Sequence, residues 1–411
     1  MASNYLTISS ITQESAPILS NSLGLTRAVT RKYDPNFGKS GAQIGNVINV
    51  RKPPRYVVSS GPALQLQDTV ETYMPVTITD QLHVDVAYNS FDWSLNVGAS
   101  TNQNIIKAAT TALANKIDDL GFQKLYKTVY NHVGTPGTLP ASASPILAAG
   151  VKLANNSCPI DGNRAVIVDP SSQAALVGGL STLFNPSQTI SKQFTTGQMG
   201  DNVLGFNFAM SQNTPIHAYG TQVAAMSTSA AVAGLTVPTS DGSVGYSIPM
   251  SAITGTLTAG TVLTFANVFS VNPQSRRSTG QLAQFVVTAD TLAGATSVSV
   301  FPAPIFSGQF QNCTSTTNTI ASGAAVNVPA GVTASQQLVQ NLAFHPNAFT
   351  MVTADLELPG GNDTAARTNM DGISMRVIKT YVPQTDQLVI RFDTLVGWAP
   401  IYPELACRIT G

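Results

Sequence analysis

The spacing of hydrophobic and polar positions changes along this chain, and each change marks an element. From residue 76 to 86, Val76, Ile78, Leu82, Val84 and Val86 share one parity, while Thr77, Thr79, Gln81, His83 and Asp85 take the other. Alternate side chains on a strand face opposite sides, so this stretch reads as a half-buried strand with one polar face. The period then lengthens: Ile105, Ala109, Leu113, Ile117, Leu120, Leu125 and Val129 make the apolar stripe of a long helix. Ser100 and Gln103 have capping-box spacing at its start, and Gly134 with Pro136 is expected to end it. Ala165-Val166-Ile167-Val168 is a short apolar run that enters Asp169-Pro170, an N-cap followed by proline at the first helical position. It predicts a buried strand leading into a helix through Ala174, Ala175 and Leu176, without the glycine-rich loop that cradles a phosphate.

Other stretches are less regular. Residues 1–45 are rich in Ser, Asn, Thr and Gly without a sustained period, which predicts an extended arm holding at most a short helical piece. Strand signals run from Val47 to Arg51 and, after Pro53-Pro54, from Tyr56 to Val58; the prolines favour an exposed two-stranded excursion over a central position. From residue 229 to about 340 the chain is Thr-, Ser-, Gly- and Ala-rich. Short strands at Thr256–Leu257, Val262–Phe265, Phe285–Thr288 and Val298–Phe301 are separated by Ala259-Gly260, Ala293-Gly294 and Pro302. That spacing predicts a small all-β barrel inserted into a larger fold. A helix is expected near Ser335–Ala343, then strands at Ala348–Asp355, Ile373–Tyr381 and Leu388–Val396, with Pro383-Gln384-Thr385-Asp386 turning the last pair into a hairpin.

Composition narrows the function. In 411 residues, hydrophobic positions make up 43% but charged ones only 10%, against roughly a quarter in ordinary soluble domains. Thr, Ser, Asn, Gln, Gly and Ala must cover the surface instead, which suits a β-rich surface or one pressed against neighbouring subunits. The formal net charge is zero, so no overall field holds nucleic acid or an anionic membrane, and copies do not repel one another at long range. Cys158, Cys313 and Cys407 lie far apart and read as reduced thiols of a cytoplasmic assembly compartment. The start of the chain carries no secretory pattern, and no run is apolar enough to span a bilayer.

Candidate chemistry is sparse. His83, His132, His217 and His345 have no metal-ligand spacing, and a G-x-S-x-G elbow is absent. The adjacent Asp118 and Asp119 read as solvated helix charges, and Glu357 with Asp363 as polar loop residues flanking Pro359-Gly360-Gly361. No cofactor, metal or catalytic residue is expected. The basic run holds more interest: Arg27, Arg31, Lys32, Lys39, Arg51, Lys52 and Arg55 face a single acid, Asp34. It is either a solvated surface or an arm and loop that grip an acidic patch on a neighbour or lie near nucleic acid.

Three stretches together resemble the coat-protein family typified by Salmonella phage P22, whose core is the Hong Kong 97 capsid fold. They are Asn341–Thr350; the run from Ile373–Tyr381 through Asp386, Arg391-Phe392-Asp393 and Gly397-Trp398 to Pro403-Glu404; and Gly255-Thr256-Leu257 through Gly260, Phe265-Ala266 and Pro302-Ala303-Pro304. The resemblance implies an α+β subunit: N-terminal arm at 1–45, extended β loop and peripheral-domain strand at 46–99, spine helix at 100–140 and first part of the axial domain at 141–228. An inserted β-barrel domain at 229–340 and axial and peripheral return strands at 341–411 complete it. It further implies the major capsid protein of a tailed bacteriophage, self-assembling in the host cytoplasm into hexamers and pentamers of an icosahedral virion shell around double-stranded DNA. Its partners would be a scaffolding protein, a portal and decoration proteins, with non-specific contact to packaged DNA and none to membrane. Inter-subunit contacts are expected at Arg27, Arg31, Lys32, Arg51, Lys52, Arg55, Asp241, Arg276 and Arg277. On this view, replacing Arg51, Lys52 and Arg55 by Ala weakens assembly without unfolding the monomer. The rival readings are a β-rich virion accessory or carbohydrate-binding protein and a hydrolase with dispersed carboxylates; the long helix and lack of repeats count against the first.

Overall fold

A computed structural model of the chain describes residues 8–31, 47–52, 54–89, 99–180, 203–235, 245–360, 364–370 and 372–410. The elements begin with helices α1 (Ile8–Ser22) and α2 (Leu25–Ala28), strands β1 (Val47–Lys52), β2 (Thr72–Thr77) and β3 (Asp80–Asn89), and the long helix α3 (Ala99–Leu125). Then come β4 (His132–Val133), α4 (Ser144–Asn155), β5 (Ala165–Val168), α5 (Pro170–Leu180), β6 (Asn207–Met210), β7 (Ile216–Ala218) and β8 (Met226–Ser227). The central strands are β9 (Tyr246–Pro249), β10 (Val262–Val271), β11 (Ser278–Val287), β12 (Ser297–Phe301), β13 (Cys313–Thr314) and β14 (Ala325–Asn327). The chain continues through β15 (Gln337–Val339), β16 (Asn341–Phe344), β17 (Phe349–Ala354), β18 (Thr364–Met370), β19 (Ile373–Val382), β20 (Gln387–Pro400) and β21 (Ala406–Ile409). The chain divides into two compact units.

The first unit gathers residues 1–48, 76–121 and 350–399. Its five-stranded sheet runs β17-β20-β19-β18, with β3 also paired to β20. The alternation over 76–86 is real but belongs to two strands, because the chain breaks pairing at Ile78 and Thr79 between β2 and β3. Val76 and Ile78 are buried, while Gln81, His83 and Asp85 stay exposed. The β19–β20 hairpin closes with Val382 opposite Gln387, as the turn residues predict, and Asp386 takes a left-handed φ of 49° there. Helix α1 runs for fifteen residues where at most a short helical piece is expected from the sequence. Its buried face, Ile11, Thr12, Ser15, Ala16 and Leu19, repeats at helical spacing but is largely small or hydroxylic, so hydrophobicity alone hides it. Packing on β18 and β19 supplies what composition lacks.

Asp118 also departs from the sequence expectation. It is buried, not solvated, and its carboxylate ties α3 to the segment before and within α2. Burial pushes its carboxyl above the ordinary range, against the pull of the hydrogen bonds it accepts from Thr26, Gly24 and Leu25. Asp119, one position on, points elsewhere and pairs with Lys116 at 2.8 Å. The stripe of α3 buries Ile106, Ala109, Leu113, Ala114 and Ile117, but the helix ends at Leu125 and tightens into a 3₁₀ turn over Tyr126–Thr128. It stops before Gly134 because the chain must straighten to place His132 and Val133 beside Arg408 and Ile409 in β4. Ser100 lies within the helix, not at its cap.

The second unit holds residues 49–75, 122–349 and 400–411. One sheet runs β4-β21-β16-β5-β6. Here β5 and α5 match the sequence reading: all four residues of β5 are buried, and Asp169 caps α5 by accepting from the N–H groups of Ser171 at 3.0 Å and Ser172 at 3.2 Å. The helix expected at Ser335–Ala343 is instead β15 and β16. Gln, Leu and Ala favour a helix locally, but β16 is buried throughout and paired on both edges, to β21 and β5, so sheet contacts override propensity. Likewise Tyr56–Val58 is not a strand: β1 pairs with β2, and Gln67 takes the place of a partner strand, its amide accepting from Val57 N–H at 2.8 Å and donating back to the Val57 carbonyl.

The other sheet of this unit has seven strands in the order β8-β14-β10-β11-β12-β9, with β13 also on β10. Its two end strands meet through the Thr228–Met250 bridge and the hydrogen bond from Ser251 N–H to Ser227 O at 2.9 Å, so the strand path closes on itself. The interior packs Leu263, Phe265, Phe285, Val287, Val298 and Val326 around an edge-to-face Phe265–Phe285 pair 5.3 Å apart.

Candidate assembly surface

The basic positions singled out in the sequence do not form one surface. Lys52 is buried, its ammonium 5.0 Å from the centre of the Tyr402 ring. Arg55 is half-exposed and ion-paired to Glu404 at 2.9 Å. Arg276 adopts a left-handed φ of 56° and donates to the carbonyls of Gly308, at 2.6 Å, and Gln309. These three are engaged within their own chain, so the triple alanine variant of Arg51, Lys52 and Arg55 would disturb folding contacts as well as any assembly contact. Arg27 and Arg277 are exposed, and Arg31 is half-buried. Arg51 lies in β1, while Lys32 and Asp241 fall outside the described residues.

What the sequence reading missed is the loop between β1 and β2. Val58, Leu64 and Leu66 are 96%, 85% and 87% exposed, and Tyr56 is exposed beside them. The loop is not slack: Tyr56 and Thr69 share a hydroxyl hydrogen bond of 3.1 Å, Ser59 donates to Gln65 at 2.9 Å, and Gln309 donates to the Asp68 carbonyl at 2.7 Å. Apolar side chains held out on an ordered loop are characteristic of a contact surface. The alternating Leu64-Gln65-Leu66-Gln67 was a signal available in the sequence, though it imitates a strand.

Polar groups elsewhere serve the fold. In the first unit, fully buried Asp393 accepts from Arg376 Nη2 at 2.6 Å and Nε at 3.0 Å, and from Arg391 Nε at 3.0 Å. On the same sheet His83 pairs with Asp85 at 2.8 Å. In the second unit Asp161 accepts from His345 at 3.1 Å and is held well below the usual carboxylate range by Asn163 and His345. Glu357, in the first unit, lends its carbonyl to Arg376, and Asp363 is outside the described residues. His132 and His217 are buried, bonded to Thr410 at 2.9 Å and Thr261 at 3.2 Å, and lowered to about 3 by burial and by the charge of Arg408. The three cysteines are free and buried; burial raises Cys313 and Cys407 to about 12, which makes them poor nucleophiles. Among the described residues no group of acids, histidines and cysteines is placed to hold a metal, and no helix is long and apolar enough to cross a membrane.

The polar clusters are thus internal ties, and the exposed apolar side chains of the β1–β2 loop lie outside them. A sequence profile of the family described as "P22 coat protein - gene protein 5" matches residues 1–411. The chain belongs to the P22 coat protein family. A P22-type coat protein is a structural component that forms the phage capsid by self-association, and its place is in the virion. Among solved structures, this coat protein is similar to a chain from Mycobacterium phage Che8, at 14% identity over 95% of this chain and 89% of that one, with a TM-score of 0.45. It is also similar to a chain in the capsid of the cyanophage P-SCSP1u, at 12% identity over 89% and 84% with a TM-score of 0.41. A third is in the mature capsid of bacteriophage PhiM1, at 10% identity over 90% and 82% with a TM-score of 0.42. A comparison with curated proteins finds no match. The family match bears out, over the full chain, the resemblance to this coat-protein family.

Proposed function

We propose that this coat protein is a Hong Kong 97-like subunit that assembles, as hexamers and pentamers, into the icosahedral head of a tailed phage enclosing double-stranded DNA. The observation that carries this reading is the ordered loop with Val58, Leu64 and Leu66 almost fully exposed. Such a loop is costly in water and becomes favourable once a neighbouring copy covers it. In this assignment residues 1–45 are the arm, 46–99 the extended loop and peripheral strand, and 100–140 the spine. Residues 141–228 and 341–411 are the axial and peripheral parts, and 229–340 the inserted barrel domain. The closed strand path from β8 to β14 supports the last of these.

Each contact is modest, but a closed lattice makes many per subunit, and ring closure turns later ones into intramolecular events. Exposed Arg27 and Arg277 remain as contacts to neighbours. A scaffolding protein, a portal and decoration proteins are the proposed partners, with host cytoplasm as the assembly site, in keeping with three free thiols. Contact with packaged DNA is non-specific, in keeping with zero net charge.

The test is electron microscopy and sedimentation of the expressed chain, alone and with its phage's scaffold, beside the Leu64→Ser, Leu66→Ser double variant. Shells from the parent chain and a folded, soluble double variant are expected. Undiminished shell yield in the variant would overturn the role of the loop, and absence of shells from the parent with scaffold would overturn the reading as a whole.

A further inference from the structure

The second unit carries a cleft of about 290 Å³. Partly exposed rings of Tyr130, Tyr246, Phe301 and Phe310 line it, with Tyr130 and Phe301 edge-to-face at 6.1 Å. Among its lining residues are two cations, Arg55 and Lys152, and one acid, Glu404. Glu404 is taken by Arg55. The ammonium of Lys152, half-buried on α4, makes no hydrogen bond or ion pair with a described residue, and burial lowers its pKa. Gln281 also lines the cleft, and its buried Oε1 has no hydrogen-bond partner.

An uncompensated ammonium and an unfilled acceptor between aromatic walls together specify a ligand. It must bring a negative charge for Lys152, a donor for Gln281 and apolar bulk for the rings. A peptide supplies all three, with a carboxylate side chain, a backbone N–H and a neighbouring aliphatic residue. We infer that this cleft docks an apolar peptide segment bearing an acidic side chain, presented by a protein other than the coat protein itself. Of the chain's own exposed segments of that character, Leu64 to Asp68 is held by the hydrogen bonds of Gln65, Gln67 and the Asp68 carbonyl, and Leu356-Glu357-Leu358 by its Leu356 and Glu357 carbonyls, which accept from Arg367 and Arg376, so neither enters as a free extended segment.

The probe is a fluorescein-labelled Gly-Leu-Glu-Leu-Gly peptide, titrated into unassembled full-length chain and followed by anisotropy, with the Gln-for-Glu peptide alongside. Saturable binding of the Glu peptide is expected, about tenfold weaker for the Gln peptide and for Lys152→Met, and regained in Lys152→Arg. Equal affinity for the two peptides overturns the proposal; that comparison uses only the parent chain and stands even if Lys152→Met does not fold. Undiminished binding by folded Lys152→Met overturns it equally. If instead the peptide dissolves self-association of the chain in sedimentation, the occupant is a second copy and the foreign segment is excluded.

Discussion

The carboxylate of Asp118 lies 2.6 Å from the backbone nitrogen of Gly24, ninety-four positions earlier in the chain. It also accepts from Leu25 N–H at 3.1 Å, Thr26 N–H at 3.2 Å and the Thr26 hydroxyl at 2.7 Å. One side chain therefore satisfies the donors at the start of α2. Asp118→Ala should cost about 3 kcal/mol, the combined loss of a cap and of buried partners. Urea unfolding measures this, and a loss below about 1 kcal/mol would show that water replaces the carboxylate.

Asp393 separates two arginines by burial. Arg376 makes two bonds to it and is mostly buried, whereas Arg391 is about a third exposed. Arg376→Met should destabilise by about 3 kcal/mol, because a buried charge loses its main partner. Arg391→Met should cost about 1 kcal/mol or less. Equal losses in denaturant titrations would mean that the carboxylate does not distinguish them.

Acid should weaken the second unit through its buried imidazoles. His132 and His217 fall from 6.5 to about 3 on folding, so the unfolded chain binds protons that the folded chain refuses. Their contribution is complete above pH 6.5, declines as pH falls through that value and continues to decline to about 3. At pH 5 each accounts for about 2 kcal/mol of lost stability. The His132→Gln, His217→Gln chain should show a flatter stability profile between pH 7 and pH 4; an unchanged slope would assign acid sensitivity to other groups.

A methyl group on Gly121 would sit 2.7 Å from Cζ2 and 2.8 Å from Cε2 of Trp398. An exposed helical glycine replaced by alanine gains about 1 kcal/mol. Here overpacking against the buried indole should reverse the sign, for a net loss of about 1 to 3 kcal/mol. A thermal melt of Gly121→Ala with a raised midpoint would show that the ring moves aside freely.

The elements legible in the sequence were those whose local chemistry and final environment agree. Ala165–Val168 with Asp169-Pro170 is one, since strand, cap and helix start each have their own signal; Pro383–Asp386 is another. Ser335–Ala343 was misread because nothing within it announces that β5 and β21 will flank it on both sides. Asp118 was misread for the same reason, its partners being far away in sequence. Of the assembly surface, the basic run was visible but the use of Lys52 and Arg55 within the chain was not, because Tyr402 and Glu404 come almost at the other end. Tyr56–Val58 looked like half of a two-stranded excursion, but its partner proved to be the side chain of Gln67 on Val57.

The closed strand path also bears on the order in which the molecule forms. Ile167 of β5 pairs with Leu342 of β16 across a long excursion, and such pairings are slow because loop closure precedes any reward. Within the excursion the pairing of Val271 with Ser278 is local, and Ser227 finally lies opposite Ala325, so the entering and leaving strands emerge side by side. Once that ring has formed, the span left to close between β5 and β16 is less than half its former length, which lowers the closure cost by about 0.6 kcal/mol or somewhat more. A lesion in the ring therefore delays a sheet to which it contributes no strand, and subunits waiting in that state expose unpaired edges of β5 and β21 to one another.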